Sequence, residues 1–208
     1  MSSPSTGGKS GSQLSAAVRR GLREASAIGI GIAALVIAVA LASFDVRDPG
    51  FTFTGNGEAV HNLVGNAGAW IADVLYFLFG RPAWLLVVAL GVAAWRLARS
   101  RAVMETGSRA NMLVRLGGLA FLVASSCALA SLHWRAGVLR ASAGGVLGMG
   151  VGSALASTLN LLGATLVMLA VWAAGVAVAF GISWLHVMDG LGAAVWRGVS
   201  WLRARRHA

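Results

Sequence analysis

In the apolar part of the chain, the side chains that could transfer protons or bind a metal lie in one stretch, VHNLVGNAGAWIADVLYFLFG at residues 60–80. His61 brings an imidazole and Asp73 a carboxylate, two groups that enzymes use for acid–base work and metal binding. The four histidines of the chain have no ligand spacing, and a single cysteine, Cys127, allows no internal disulfide. These residues predict no enzyme, no metal site and no cofactor.

Asp73 is open to two interpretations. It can be a functional carboxylate, as in transporters that carry ionisable groups within the membrane. It can equally be an interfacial residue that hydrogen-bonds to nearby backbone. The glycines Gly65, Gly68 and Gly80 that accompany it are unusual for a simple membrane span.

The composition indicates an integral membrane protein. Of the 208 residues, 57% are hydrophobic and 12% are charged, whereas soluble domains have about 25% charged residues. The apolar residues form long runs of the kind that cross bilayers. The length allows one compact membrane domain with short tails and leaves no room for a soluble enzyme domain.

The chain has a net charge of +10, and the distribution of its basic residues indicates a membrane topology rather than a nucleic-acid function. Most basic residues lie before the first apolar run, in the gap around residues 96–115, and after the last run. Basic segments of this kind stay on the cytoplasmic side, so both termini are expected there. Binding of DNA by the basic tail is the other interpretation, and it predicts an affinity that falls steeply with salt.

The pattern predicts an all-α, polytopic membrane protein with four transmembrane helices, at about residues 25–44, 82–97, 113–132 and 161–182. A flexible basic N-terminus (1–24) precedes this membrane domain (25–182), and an amphipathic basic tail (183–208) follows it. A cleaved signal peptide is the alternative for the first run, but its apolar core is longer than the usual ~7–15 residues. A further helix, at about 66–79, is expected to lie at the outer interface, because Gly80-Arg81-Pro82 ends it and Pro82 suits the first turn of the next helix.

Small residues predict a helix-packing face in the second outer segment. Gly144, Gly148 and Gly152 recur every four residues, which places them on one side of a helix and lets another backbone approach closely. The alternative is that glycine is merely abundant, with 28 in the chain.

The block from His61 to Gly80 closely resembles the signature of the N-terminal four-span membrane domain of the FtsK/SpoIIIE DNA translocases. The residues that carry this signature are His61, Asn62, Gly65, Gly68, Trp70, Asp73 and Gly80. Asp48-Pro49 after the first span resembles a second family motif, and Gly144, Gly145 and Gly148 belong to a third that resembles the family's outer glycine motif. One departure is the segment after Gly80, where Ala83-Trp84 is followed by Leu85-Leu86-Val87 without the proline that the family often has.

The resemblance implies a membrane anchor and septal scaffold of an FtsK-type translocase, acting in bacterial cell division and chromosome partition. The ATPase motor of the family is absent from these residues, so contact with DNA is expected only through such a motor. The implied location is the inner membrane at the division septum. The implied partners are membrane lipid, divisome membrane proteins and a second copy of the chain. A small-molecule or ion transporter is the alternative, and it would need a polar site near the middle of the bilayer.

Overall fold

The computed structural model describes residues 8–55, 57, 59–99 and 109–184, together with a few positions of the tail (188–189, 192–193 and 195–197). The ordered elements within these ranges are five α-helices: α1 (Gly8–Ala42), α2 (Gly65–Phe79), α3 (Ala83–Arg99), α4 (Arg109–His133) and α5 (Gly145–Phe180). No strand occurs in the part of the chain described, so the prediction of an all-α membrane protein is confirmed. The middle of the basic loop, 100–108, and most of the predicted amphipathic tail lie outside the described residues.

Three helical stretches are long and apolar enough to cross a membrane: Arg20–Ala42, Asn111–His133 and Gly145–Phe180. A fourth candidate is the pair α2 and α3, if the two helices are counted together as one broken span. The three or four candidate spans agree with a polytopic membrane domain. Helix α1 already begins at Gly8, so it includes much of the segment for which the sequence predicts a flexible N-terminus.

Helices α2 and α3 are separated by a sharp bend of 111°. Gly80 ends α2 with φ 62° and ψ −146°, a conformation that is easy only for glycine. Pro82 follows just before α3, where its missing N–H costs no hydrogen bond. Helix α3 has 17 residues, or about 25 Å at 1.5 Å per residue, so it is short for a bilayer core of about 30 Å.

Helix α5 is also broken, at Asn160, whose φ of 61° and ψ of 166° are not helical. The break divides its 36 residues into segments 145–159 and 161–180. The second segment occupies the region predicted as the fourth span, about 161–182. The first contains the predicted glycine face.

The same backbone pattern therefore occurs twice in the chain. Gly65 begins α2 with φ 73°, and Gly145 begins α5 with φ 66°. The 15 residues of α2 lead to the break at Gly80, and an equal number lead from Gly145 to the break at Asn160. The residue before each of these glycines also has a similar conformation: φ and ψ are −93° and 4° at Val64 and −101° and 11° at Gly144.

The five helices form two hairpins. In the first, α1 packs along α3 and also contacts α2, and in the second α4 packs along α5. Small side chains form the core of the first hairpin, where Ala40, Leu41, Ala72 and Ala83 are buried together. The two hairpins meet mainly where α2 contacts α5, so the ends joined by the loops are the most tightly assembled part of the molecule.

Candidate functional site

The loop between α1 and α2, residues 43–64, is folded around the buried carboxylate of Asp48. One oxygen of Asp48 accepts hydrogen bonds from the backbone N–H of His61 at 2.8 Å and contacts the His61 ring nitrogen Nδ1 at 3.0 Å. The other oxygen accepts the N–H of Asn62 at 2.8 Å. Asp48 thereby binds the end of the loop back to its beginning.

These hydrogen bonds also set the ionisation of Asp48. Burial alone would raise the pKa of the carboxyl, but the hydrogen bonds from His61 and Asn62 outweigh burial and hold the pKa below its ordinary value. Asp48 is therefore a carboxylate at neutral pH. It is an anion already used by its own loop and not a free general base.

Asn62, also buried, joins the loop to the end of α1. Its side-chain amide donates to the carbonyl oxygens of Ala40 at 2.8 Å and Ser43 at 3.2 Å. Its side-chain oxygen accepts the N–H of Val64 at 3.0 Å, just before α2 begins. Because the last carbonyls of a helix have no partner within the helix, the Asn62 side chain satisfies part of the end of α1 while it also holds the start of α2.

Asp73 lies on the inner face of α2 and binds the middle of the same loop. Its carboxylate accepts the backbone N–H of Thr52 at 2.6 Å and the hydroxyl of Thr52 at 2.8 Å. A Cβ added at Gly50 would lie only 2.6 Å from the Asp73 carboxylate, so the loop backbone passes directly over it. The structure thus places Asp73 in hydrogen bonds to nearby loop backbone and hydroxyl groups.

Two other motif residues of this stretch, Gly68 and Trp70, pack α2 against the same loop. Gly68 of α2 faces Asn62 and Val64, and a Cβ there would overlap both side chains. Trp70 is half exposed and meets the ring of Phe51 edge-on, with ring centroids 6.3 Å apart.

The second group of motif glycines lies where the two hairpins meet. A Cβ at Gly80 would overlap the Ala143 carbonyl, and one at Gly145 would overlap the Leu78 carbonyl, so the end of α2 and the start of α5 touch backbone to backbone. A Cβ added at Gly144 or at Gly148 would likewise overlap the Cys127 carbonyl of α4. These glycines pack elements of one chain against each other.

The loop between α4 and α5, residues 134–144, is joined to the α1–α2 loop. Arg140 donates a hydrogen bond to the Val46 carbonyl, and its guanidinium lies 4.7 Å from the centre of the Phe53 ring. Large apolar side chains remain exposed on both loops, including Leu63 at 80% and Val138 at 74%. The two loops together form one continuous surface, here called the loop platform (43–64 and 134–144).

The loop platform exposes apolar side chains and uses the carboxylates of Asp48 and Asp73 within the fold. No group of three or more His, Cys, Asp or Glu side chains that could hold a metal occurs among the described residues. His61 and Asp73 are not brought together, since each is bonded to a different part of the loop. What the platform offers a partner is a fixed shape with exposed apolar side chains.

Comparison with known proteins identifies the family. Residues 19–192 match the family model described as the 4TM region of DNA translocase FtsK/SpoIIIE. The chain belongs to this family. A relative in Pseudomonas putida, "DNA translocase FtsK", is 38% identical over 169 residues, which is 81% of this chain and 20% of the relative. The "DNA translocase FtsK" of Vibrio vulnificus is 40% identical over 156 residues, covering 75% of this chain and 16% of the relative.

The resemblance stated from the sequence is thus confirmed. The chain spans about a fifth of the length of these curated relatives, and the matching part is their membrane region. No solved structure matches the chain. An FtsK-type membrane region together with the apolar helices makes this an inner membrane protein, and the main interpretation is supported over the transporter alternative.

Sequence reasoning did not find the partners of the motif residues. Thr52, Ser43 and Arg140 all make the contacts that hold the loop platform together, yet they lie in irregular segments with no periodicity. The available signal was the resemblance of Ala42-Ser43-Phe44-Asp45 with Asp48-Pro49 to a family motif, which pointed to Ser43 and to this loop without giving Ser43 or Asp48 a partner.

Proposed function

We propose that this chain is the membrane anchor and septal scaffold of an FtsK-type translocase, serving bacterial cell division and chromosome segregation. The observation that carries the proposal is the match of residues 19–192 to the 4TM region of FtsK/SpoIIIE translocases. The loop platform supports it, because a loop bonded internally through Asp48, Asn62 and Asp73 presents a constant surface to partners.

The domain works without chemistry of its own. The carboxylates of Asp48 and Asp73 are occupied by hydrogen bonds within the fold, and the matches to known translocases fall on their membrane region. ATP hydrolysis and DNA pumping belong to a motor joined to such a domain, and this chain contacts DNA only through that motor.

In this proposal both termini are cytoplasmic, which puts the loop platform on the outer side of the inner membrane. The basic ends of the helices support that orientation: Arg96 and Arg99 lie in the last turn of α3, and basic residues favour the cytoplasmic side. The Arg99 guanidinium lies 4.5 Å from the centre of the Trp95 ring, an arrangement suited to the bilayer interface. Divisome membrane proteins would then bind the loop platform from outside, and self-association would use the exposed apolar faces of the helices.

The experiment is to fuse a fluorescent protein after Ala208 and image dividing bacteria that carry this fusion and their native translocase. A band at mid-cell is the expected result. A variant with Leu63→Glu tests the platform, because it places a charge on the most exposed apolar side chain of the α1–α2 loop. The control is Val18→Glu, which also places a charge on a strongly exposed apolar side chain but lies away from the loops and before the candidate span Arg20–Ala42.

A uniform peripheral signal from the unaltered chain would contradict a septal address in these residues. Loss of the mid-cell band in Leu63→Glu with retention of total membrane signal would locate the address on the platform. Equal loss in both variants would show instead that insertion, and not partner binding, was disturbed.

A further inference from the structure

A cleft of about 470 Å³ separates the two hairpins beside the bend between α2 and α3. Its walls are the start of α3, the last two turns of α4 and the second segment of α5. Because α3 and α4 barely touch, the cleft is open to the side, toward the lipid. A molecule from the membrane can therefore enter it without leaving the bilayer.

The cleft has a polar end and an apolar end. Arg81, His133 and Trp134 line it at the loop end of the hairpins. Leu129, Leu169 and Trp172 line it further along α4 and α5, one to two turns deeper in the bundle. Since a helix advances 1.5 Å per residue, the polar rim and the deepest apolar wall are separated by roughly 10 Å. This is the order of groups that a phospholipid presents, with a charged head followed by acyl chains.

The positive charge of Arg81 at that rim has no anionic partner among the described residues. Among the described residues its guanidinium makes no hydrogen bond and no salt bridge. It faces the ring of Trp134, with 6.0 Å from the guanidinium carbon to the ring centre. The three carboxylates that the structure describes in the adjacent loop and in α2 are occupied elsewhere, Asp45 by Arg47, Asp48 by His61 and Asp73 by Thr52. A guanidinium binds phosphate oxygens in pairs more strongly than it binds neutral groups.

The remaining polar groups of the cleft are fixed and do not compete for Arg81. The His133 ring nitrogen Nε2 lies 2.9 Å from the Thr165 hydroxyl, which bonds α4 to α5. The indole N–H of Trp84 donates to the Tyr76 hydroxyl at 3.1 Å, and that hydroxyl donates to the Leu41 carbonyl at 3.1 Å. These bonds hold the rim in shape around a guanidinium that points to no protein anion in the described structure.

We propose that this cleft is a binding site for one anionic phospholipid, whose phosphate is held by Arg81 and whose acyl chain lies against Leu129, Leu169 and Trp172. The site goes beyond the scaffold function, since it depends only on the chain lying in a membrane. The bound lipid would fill the space between two hairpins that meet mainly at their loop ends, with one further hydrogen bond from Arg96 to the Phe180 carbonyl at the opposite end.

The test is native mass spectrometry of the full chain in detergent, with phosphatidylglycerol or phosphatidylcholine of the same acyl length added. We expect one phosphatidylglycerol to remain bound at lipid concentrations where phosphatidylcholine does not. In Arg81→Gln the apparent affinity for phosphatidylglycerol should fall about tenfold, as expected for loss of a charge-assisted hydrogen bond. The matched control is Arg135→Gln, which removes the same charge from an exposed residue of the neighbouring loop that does not line the cleft.

A second pair of variants tests the apolar wall without changing charge. Leu169→Trp should fill the cleft and weaken binding, whereas Leu166→Trp lies on the same helix outside the cleft and should leave binding unchanged. Both positions are about half exposed, so neither substitution disturbs the core, and unaltered helix content by circular dichroism verifies this.

Three results would overturn the proposal. The first is equal binding of phosphatidylglycerol and phosphatidylcholine, which is the behaviour of non-selective surrounding lipid. The second is an equal loss of binding in Arg81→Gln and Arg135→Gln, which would indicate general charge attraction. The third is a protein dimer that disappears in Arg81→Gln, which would make a second copy the occupant. None of these results bears on septal localisation, so this test and that of the scaffold function can fail independently.

Discussion

At the scale of single residues, two aspartates with similar surroundings perform the same task from different elements. Asp48 lies in the loop and closes it onto His61 and Asn62, and Asp73 lies on α2 and holds Thr52. In both cases the carboxyl oxygens accept backbone N–H groups of the loop. The cost of burying each carboxylate is offset by these donors.

Replacing Asp73 by Ala should lower the stability of the chain by about 1–3 kcal/mol, because the N–H and hydroxyl of Thr52 lose their acceptor. The measurement is the unfolding temperature in detergent, followed by circular dichroism. Asp45→Ala is the control, since its partner Arg47 is largely exposed and exposed ion pairs contribute little.

A double-mutant cycle with Thr52→Val sharpens the Asp73 prediction. If the two side chains interact as described, the double variant should be clearly more stable than the sum of the single effects predicts. Additive effects would show that Asp73 stabilises the fold by some other contact.

The lowered pKa of Asp48 predicts how the α1–α2 loop responds to acid. Its pKa is held below the ordinary value in the folded chain, so the carboxylate stabilises the fold above the ordinary aspartate pKa of about 3.9. That contribution is lost as the pH falls through the lowered pKa. We expect amide hydrogen exchange of His61 and Asn62, corrected for the intrinsic rate, to stay slow at pH 5 and to accelerate only below about pH 4.

The variant Asp48→Asn provides the comparison for this pH series. It should show faster exchange at both amides already at neutral pH and little further change on acidification. If the unaltered chain and Asp48→Asn respond to pH alike, another group controls the opening of the loop.

At the scale of the helices, glycine decides how closely α5 approaches α4. Gly148 faces the Cys127 carbonyl, and the Ser131 hydroxyl of α4 donates to the Gly148 carbonyl at 2.6 Å. Gly150, two residues further along, has nothing within 4 Å of an added Cβ. Substitutions at Gly148 and Gly150 therefore distinguish two effects on stability: loss of the close contact between helices, and replacement of glycine within a helix.

Gly148→Ala should destabilise the α4–α5 hairpin by about 1–3 kcal/mol, because the added methyl group overlaps backbone that cannot move aside. Gly150→Ala should be neutral or stabilising, since alanine is the better helix former. Thermal unfolding of the two variants in the same detergent measures the difference. Equal unfolding temperatures would mean that the close approach of α4 and α5 does not contribute to stability.

The positive φ of Asn160 at the break in α5 predicts how substitutions at this residue change the unfolding temperature. This residue has φ 61°, which glycine adopts freely and other residues adopt at a cost of about 1–3 kcal/mol. Asn160→Gly should therefore preserve or raise the unfolding temperature, and Asn160→Val should lower it. Ser157→Gly is the control within the same helix, where glycine should be destabilising by about 0.5–1 kcal/mol.

The two breaks also show what could be predicted from sequence. Gly80-Arg81-Pro82 is a readable signal, and the helix expected at about 66–79 lies where the structure has α2, Gly65–Phe79. The fourth span predicted at about 161–182 begins directly after Asn160, but nothing in the neighbours of Asn160 predicts its positive φ. The spacing of Gly144, Gly148 and Gly152 indicated a packing face, but only the folded chain shows that Cys127 and Ser131 occupy the other side. Contacts between residues far apart in sequence, such as Asp73 with Thr52, leave no periodic trace.

At the scale of the whole molecule, the hairpins determine which surfaces face opposite sides of the membrane. Leu63 lies on the loop platform and Val18 near the other end of α1, and both side chains are strongly exposed. The single native cysteine, Cys127, is fully buried, and its Sγ donates to the Phe79 carbonyl at 3.3 Å. The native chain should therefore give little background when cysteines are introduced for labelling.

If the termini are cytoplasmic, Leu63→Cys should react with a membrane-impermeant maleimide added to cells with a permeabilised outer membrane. Val18→Cys should react only after the inner membrane is lysed. The unaltered chain supplies the background from Cys127. The opposite order of labelling would reverse the orientation and would place the loop platform in the cytoplasm.

The repeated pattern of a glycine with positive φ, 15 helical residues and a break has a consequence for how such a domain can arise. Each half enters and leaves the bundle on one side, so fusing two copies of a gene for one half would keep both chain ends where they were. An ancestral two-span protein that paired with its own copy would give the present arrangement after duplication. Domains attached to either end would have remained in the same compartment throughout that history.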